Sequence, residues 1–196
     1  MQRIITVPYF DQTERYPTGC ESISAVMLLQ YLGYDISPET FIDRYLYKRD
    51  FEFHEGYLYG PHPADAFIGS PYNDEKGSYG CYAPVIALAL ERAAGEDYRF
   101  TPQQGVPMEQ LLENYIDRDL PVVFWATLNM EPSSLGVTWR LLGRKGEFQW
   151  VNHQHCLLLV GYDDRQYYFN DPWMNAGCRG YDRKLVEKHY GEGDGS

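Results

Sequence analysis

The sequence contains no apolar run approaching the roughly 18 residues that a membrane-spanning helix requires. Its first ten residues, MQRIITVPYF, also lack the apolar stretch of a secretory signal. We therefore expect the chain as written to be soluble and to have no membrane partner. A signal or anchor that had been cleaved would leave no trace here, so the compartment stays open, an extracellular location included.

Basic residues are scarce. The chain has 17 Lys and Arg against 28 Asp and Glu, a formal net charge of -11 at pH 7. A surface of that charge repels phosphate backbones and anionic lipid headgroups, so we expect no nucleic-acid partner. The same balance favours a neutral or basic peptide over an acidic polymer as the ligand, and the sequence does not indicate an oligomeric state.

The four cysteines include no CxxC pair and no zinc-ribbon spacing. They stand at positions 20, 81, 156 and 178. A domain of this size folds without disulfides, and a reactive Cys20 would leave an odd number for pairing. We therefore expect mostly free thiols, no structural zinc site and no cofactor.

Helical spacing of apolar residues dominates the first part of the chain, and short strand-like runs dominate the last part. Helices are predicted over residues 20–32, from an N-cap at Ser37 with Pro38 next, from about Pro84 to Gly95, over 107–119 and over 181–191. Strands are predicted over 120–127, 146–151, 154–164 and 166–171, with a hairpin turn at 163–166. This order indicates a single α+β domain over residues 1–196, with N-terminal helices packed on a C-terminal antiparallel sheet.

Residues 48–82 are rich in Gly, Pro, Tyr, Asn and Asp and show no sustained period. The segment carries too many aromatic residues for a disordered linker, so we predict an ordered aromatic excursion. Such a long connection without regular structure is uncommon unless it has a function. We expect it to form a wall of a binding cleft.

Cys20 is placed where a nucleophilic thiol would be expected, at the start of the first helix. The unpaired N–H groups and positive dipole of a helix start lower a thiol pKa, more so when an imidazolium is close. Gly19 leaves room for a substrate backbone, or serves a turn. Glu21 opposes thiolate formation if it is close, so we expect it to point into solvent or to another partner. The alternative is an ordinary buried cysteine.

The candidate base is His155, which begins the strand HCLLLVGYDD, and Asp171 ends the partner strand in YYFNDPW. A tight hairpin would bring the two side chains together, as a carboxylate that orients an imidazole requires. Taken locally, the pattern favours a strand histidine bonded to a backbone carbonyl, with Asn170 and Asp171 shaping a turn before Pro172. Gln12, eight residues before Cys20, is a candidate oxyanion donor.

Trp150 and Trp173 bracket the His155–Asp171 pair in the sequence. We predict that they shield this pair from water or line a substrate groove, since aromatic rings give large contact areas. The alternative is that they simply pack in the core.

The combination is more specific than its parts. The order VPYFDQ, GCESISAVMLLQYLG, Trp150 followed by HCLLLVGYDD, and YYFNDPW resembles the papain-like cysteine peptidases, specifically the peptidase family 39-like domains. These are relatives of the double-glycine leader peptidases that process bacteriocin precursors, and GPHPADAFIGSPYNDEKGSYGCYAP is similar to their standalone bacterial branch. Nothing here corresponds to the membrane and ATPase domains of the transporter-type leader peptidases.

The resemblance implies a papain-like fold and a peptide substrate. It implies a catalytic triad of Cys20, His155 and Asp171, with Gln12 in the oxyanion hole. Two other functions use the same residues: a catalytically inactive peptide-binding or sensing module of the same fold, and a thiol acyltransferase.

Two competing site assignments arise inside the chain. Cys81 also precedes a helix, but it lies outside the predicted first turn and ranks below Cys20 as a nucleophile. His153 and His155 would share a face of a regular strand and could hold a metal with Asp164 or Asp171 as third ligand. No third ligand stands at a recognisable spacing, so we predict no metal site.

Overall fold

The computed structural model describes residues 2–75 and 77–190. The α-helices are α1 Cys20–Tyr31, α2 Pro38–Thr40, α3 Ala83–Ala94, α4 Met108–Asn114 and α5 Arg183–His189. A π-helical turn, Phe41–Tyr45, continues α2, and short 3-10 turns cover Ile116–Arg118 and Leu128–Met130. The strands are β1 Arg3–Ile4, β2 Lys48–Arg49, β3 Glu52–His54, β4 Tyr57–Gly60, β5 Phe67–Ile68, β6 Val122–Thr127, β7 Ser134–Leu141, β8 Glu147–Asn152, β9 Gln154–Tyr162, β10 Gln166–Asp171 and β11 Gly177–Asp182.

A five-stranded antiparallel sheet forms the centre of the molecule. Its strands follow the order β1–β9–β10–β11, and β6 also pairs with β9. The predicted hairpin is confirmed, because β9 and β10 pair on either side of the turn and the Asp163 N–H donates to the Gln166 carbonyl at 2.9 Å.

Strand β9 is buried on both faces of this sheet. Leu158 and Val160 pack with α1 and α3, whereas Leu157 and Leu159 pack with α4 and α5. This alternation follows from the two-residue period of a strand, and it explains why HCLLLVG is a continuous apolar run. The predicted α+β class is confirmed, and helices cover both faces of the sheet.

The helix starts agree with the local sequence signals. Helix α1 begins at Cys20, and Gly33 beyond its end has a φ of 96°. Ser37 caps α2 by accepting the Thr40 N–H at 3.1 Å, and Asp182 caps α5 by accepting the N–H groups of the second and third residues after it. Helix α5 is shorter than the predicted span, whose last residue, Gly191, lies outside the described residues.

The prediction that residues 48–82 lack regular structure is wrong for the described residues of this segment. The segment contains four short strands. Two of them, β3 and β4, join β7 and β8 in a second sheet of order β3–β4–β7–β8, in which β4 and β7 run parallel. A parallel pair between strands so far apart in the chain depends on tertiary contacts, which no local period reveals.

Strands β7 and β11 were not predicted. Strand β11 contains two glycines in six residues, Gly177 and Gly180, and β7 is interrupted by Gly136. Glycine weakens a strand taken alone, so both are held by their partners, β10 and β8. Among the described residues, no helix has both the length and the apolar content needed to cross a membrane.

Candidate active site

Cys20 is the first residue of α1, and its thiol is free and partly exposed. The loop before it turns tightly, with the Gly19 N–H donating to the Tyr16 carbonyl at 2.8 Å. A Cβ on Gly19 would lie 2.9 Å from the Cβ of Tyr16, so this glycine is required by packing within the loop. The sequence prediction that Cys20 opens the helix is confirmed.

Glu21 is directed into the protein. Of the two directions expected of it, solvent or another partner, it takes the second, but it also contacts the thiol. Its side chain is only 4% exposed. Oε1 accepts the backbone N–H of Cys81 at 2.9 Å, and Oε2 lies 3.4 Å from Sγ of Cys20 in a hydrogen bond donated by the thiol. Gly80 provides the space: it has a φ of 152°, and a Cβ there would overlap Oε1 of Glu21.

The electrostatics of this pair oppose thiolate formation. Burial first, and then the charge of Glu21, raise the pKa of the Cys20 thiol well above its usual value. Burial also raises the pKa of the Glu21 carboxyl to about 7, although the Cys81 N–H partly offsets it. The lowered thiol pKa expected at a helix start is therefore not what this arrangement gives.

His155 and Asp171 form a buried hydrogen-bonded pair. Nε2 of His155 lies 2.7 Å from Oδ1 of Asp171, and the side chains are 4% and 2% exposed. Oδ1 also accepts the Trp173 N–H at 3.0 Å, and Oδ2 accepts the Tyr181 hydroxyl at 2.8 Å. Burial raises the pKa of Asp171, but the hydrogen bonds and the imidazole outweigh it and lower the pKa below its usual value.

Tyr181 was missed by sequence reasoning. It lies on β11, whose glycine-rich sequence gave no strand signal, and it pairs with Tyr167 of β10. Only the pairing of β10 with β11 brings its hydroxyl beneath Asp171.

Helix α1 and strand β9 bring Cys20 beside the residue that follows His155. The Ser24 hydroxyl donates to the carbonyl of Cys156 at 3.2 Å, and the backbone N–H of Cys156 lies close enough to the Cys20 thiol to lower its pKa. Within residues 2–75 and 77–190, no hydrogen bond joins Sγ of Cys20 to the His155 ring, and the bond that the thiol donates goes to Glu21. The thiol thus lies beside the backbone of the residue that follows His155, and it is not paired with the imidazole.

Gln12 is buried in the loop before Cys20 and is 2% exposed. Its backbone N–H donates to the Pro172 carbonyl at 2.9 Å, which ties this loop to the residue after Asp171. Nε2 donates to the carbonyls of Tyr16 and Pro17 at 3.3 and 3.2 Å, and Oε1 has no hydrogen-bond partner among the described residues. The amide is therefore close to Cys20, but its N–H groups face the loop.

Trp150 lies in the second sheet and is buried against Tyr82, with ring centroids 6.3 Å apart and an 8° angle between the planes. A Cβ on Gly80 would lie 3.5 Å from its indole, so Trp150 borders the Glu21 side of the site. Trp173 is half-buried, and its backbone N–H binds Asp171. Both tryptophans adjoin the candidate site, one on each side.

The aromatic excursion forms one wall of this region. The Thr18 hydroxyl donates to the carbonyls of Ser70 and Asn73 at 3.0 and 2.9 Å. At its end, Cys81 is held through both of its backbone groups: its N–H donates to Glu21, and its carbonyl accepts a hydrogen bond from Nε1 of Trp125 at 3.0 Å. The excursion therefore lies beside the loop before Cys20 and beside Glu21, and its role as a wall of a binding cleft stays a prediction.

The competing assignments find no support in this geometry. Cys81 is fully buried and precedes α3 by two residues. His153 is exposed at a φ of 65° in the turn between β8 and β9, so it does not share a regular strand with His155. In the described part of the chain, no group of three His, Cys, Asp or Glu side chains is placed to hold a metal ion.

A separate apolar cavity of about 250 Å³ lies at the far end of α1. Its lining includes Leu28 and Leu32 of α1, Leu90 of α3, and Val123 and Trp125 of β6. The residues that line this cavity include none of the predicted site residues.

Comparison with known proteins identifies the family of this chain. The model of the peptidase C39-like family matches residues 4–193. The chain therefore belongs to the peptidase C39-like family.

Two relatives illustrate the match. "Uncharacterized protein YvpB" of Bacillus subtilis (strain 168) is 30% identical over 175 residues, which cover 89% of this chain and 65% of the relative's length. A crystal structure from Bacillus anthracis, described as a "putative C39-like peptidase", has a TM-score of 0.82 at 23% identity, covering 99% of this chain and 94% of the other. The second match shows the fold.

Proposed function

We propose that the protein is a cysteine peptidase that hydrolyses a peptide or a related amide bond through Cys20, His155 and Asp171. The observation that carries this is the buried 2.7 Å pair of His155 and Asp171 at the end of the strand against which Cys20 is packed. A buried carboxylate on Nε2 fixes the ring and leaves Nδ1 as the nitrogen that can exchange a proton with a thiol.

In the proposed reaction, the thiol turns from Glu21 to the imidazole as substrate binds. His155 takes the proton while the sulfur attacks the substrate carbonyl, and a C–S bond forms. The histidine then returns the proton to the leaving nitrogen, and the C–N bond breaks. Water, activated by the same histidine, hydrolyses the thioester and restores the free thiol.

Asp171 stabilises the imidazolium in both steps, and its lowered pKa keeps it ionised across the neutral range. The backbone N–H of Cys20 is one candidate donor to the oxyanion, because the first N–H groups of a helix have no intrahelical partner. Gln12 is the second candidate. Its amide would have to turn away from the carbonyls of Tyr16 and Pro17 to donate there.

The test is hydrolysis of a mixture of fluorogenic peptides by the wild type and by Cys20→Ala, His155→Ala and Cys178→Ser. Cys178 is the exposed thiol on β11, opposite Asn170 and outside the proposed triad, and serves as the matched thiol control. We expect cleavage by the wild type and the control, and a loss of at least about 10³-fold in the other two.

Each other outcome is informative. Product that carries an added amine in place of water would identify an acyltransferase. Peptide binding without cleavage, unaffected by Cys20→Ala, would identify a binding module and overturn the proposal.

A further inference from the structure

Glu21 is the charged side chain closest to the nucleophile, and the triad gives it no task. We propose that Glu21 is a further catalytic residue of this site: its Oε2 shares one proton with Sγ of Cys20 and so controls when the thiolate forms. This inference deepens the proposed function and rests on it for its meaning in catalysis.

The contacts of Glu21 assign a separate role to each of its oxygens. Oε1 accepts the Cys81 N–H at 2.9 Å, so the oxygen that faces the thiol is Oε2, at 3.4 Å. When ionised, Oε2 can only accept, and it holds the hydrogen on the sulfur. When it carries the proton, Oε2 can also donate, and its O–H binds a thiolate.

The proton transfer balances without any other reactant. In the resting site, before the thiol turns to His155, this transfer is reversible: the S–H bond of Cys20 breaks, an O–H bond forms on Oε2, and the negative charge passes from the carboxylate to the sulfur. The pair carries one negative charge before and after, so no charge is added to a site where Glu21 is 4% exposed.

The surroundings of Glu21 leave this exchange to the two side chains. The titratable groups that face the carboxylate are three thiols: Cys20 on its own helix, Cys81 before α3 and Cys156 on β9. No cation pairs with Glu21 among residues 2–75 and 77–190. Burial raises the pKa of Glu21 to about 7, which places its titration in the physiological range.

The experiment is the rate of iodoacetamide labelling of Cys20 against pH, in a Cys178→Ser background that removes the exposed thiol. Peptide mapping shows whether Cys20 alone is labelled, since Cys81 and Cys156 are buried. No substrate is needed, so the outcome does not depend on peptide cleavage. A protein that hydrolyses nothing could still show the shared proton, and an active one could lack it.

In the wild-type site, the rate should rise about tenfold per pH unit up to about 7, level off, and rise again only at higher pH. The plateau arises because one proton then remains on the pair, and its division between sulfur and oxygen does not depend on pH. A single unbroken titration curve in this protein would overturn the proposal, whatever any variant does.

Glu21→Gln should abolish the plateau and raise the labelling rate at pH about 8 by about tenfold or more. Because the Cys81 N–H keeps the amide oxygen on its side, the amide nitrogen would face Sγ and donate to the thiolate. Glu113→Gln, on the exposed side of α4, removes a carboxylate elsewhere and should leave the curve unchanged. Equal curves for Glu21→Gln and its parent would also refute the shared proton.

Discussion

The hydroxyl of Tyr181 donates to Oδ2 of Asp171 at 2.8 Å, on the opposite side of the carboxylate from His155. Both side chains are buried. The carboxylate of the His–Asp pair is thus held by three elements of structure: β9, β11 and the backbone after β10.

Tyr181→Phe should destabilise the folded protein and change the pKa of Asp171. The loss of one hydrogen bond to a buried carboxylate lowers the free energy of unfolding by about 1.5–3 kcal/mol at pH 7. The pKa of Asp171 is lowered in the folded state, so its contribution to stability exists above the unfolded pKa and is lost as pH falls through the folded pKa. Urea unfolding at neutral and acidic pH measures this, and an equal loss at both would contradict it.

The ionisation of Glu21 should also make the stability of the protein depend on pH, in the opposite direction to that of Asp171. Its pKa rises from 4.5 to about 7 on folding. A raised folded pKa gives stability that is fully present below the unfolded pKa and lost as pH rises through the folded pKa. The free energy of unfolding of the wild type should therefore fall by about 3 kcal/mol as the pH rises from about 4.5 to about 8.

Glu21→Gln should remove this part of the pH dependence, because an amide does not titrate. Denaturant unfolding at a series of pH values measures it, with Glu113→Gln as the control that retains the full slope. A slope that persists undiminished in Glu21→Gln would show that other groups carry it.

Gly80→Ala should disturb the thiol and the fold together. The residue has a φ of 152°, and a Cβ there would overlap Oε1 of Glu21, so the carboxylate must move from the Cys81 N–H. We expect a loss of about 1–3 kcal/mol and a changed labelling curve for Cys20. Gly146→Ala is the matched control, since Gly146 has a φ of 112° and nothing within 4 Å of an added Cβ. It should cost stability and leave the labelling curve intact.

Two serines of α1 should respond differently to the same change. Ser24 is buried and donates to the Cys156 carbonyl at 3.2 Å, so Ser24→Ala should cost about 1 kcal/mol. The Ser22 hydroxyl is equally buried but has no hydrogen-bond partner in the described ranges. Ser22→Ala should therefore be neutral or stabilising. Thermal unfolding of both variants compares them directly, and equal losses would argue against the Ser24 bond.

Much of the fold follows from local signals. The helix at Cys20, the caps at Ser37 and Asp182 and the hairpin at 163–166 each arise from a few adjacent residues, and the structure contains them all. The second sheet could not be predicted this way, because β4 and β7 pair across about half the chain and neither has a strong strand signal.

In the candidate site, too, some features follow from local sequence and others depend on distant segments. The proximity of His155 and Asp171 follows from a hairpin, and it is confirmed. The inward direction of Glu21 depends on the Cys81 N–H, which arrives from a distant segment, and on the absence of a side chain at Gly80. A sequence shows that a carboxylate follows the cysteine, but not which backbone donor will turn it.

Cys81 binds Glu21 through its N–H and Trp125 through its carbonyl, and this has a mechanical consequence. The N–H and the carbonyl of one residue belong to two successive planar peptide groups that meet at its α-carbon, so these two bonds hold both planes. Trp125 belongs to the wall of the apolar cavity at the far end of α1. The residue that positions the carboxylate beside the thiol is therefore also anchored to the wall of that cavity, through the indole of Trp125.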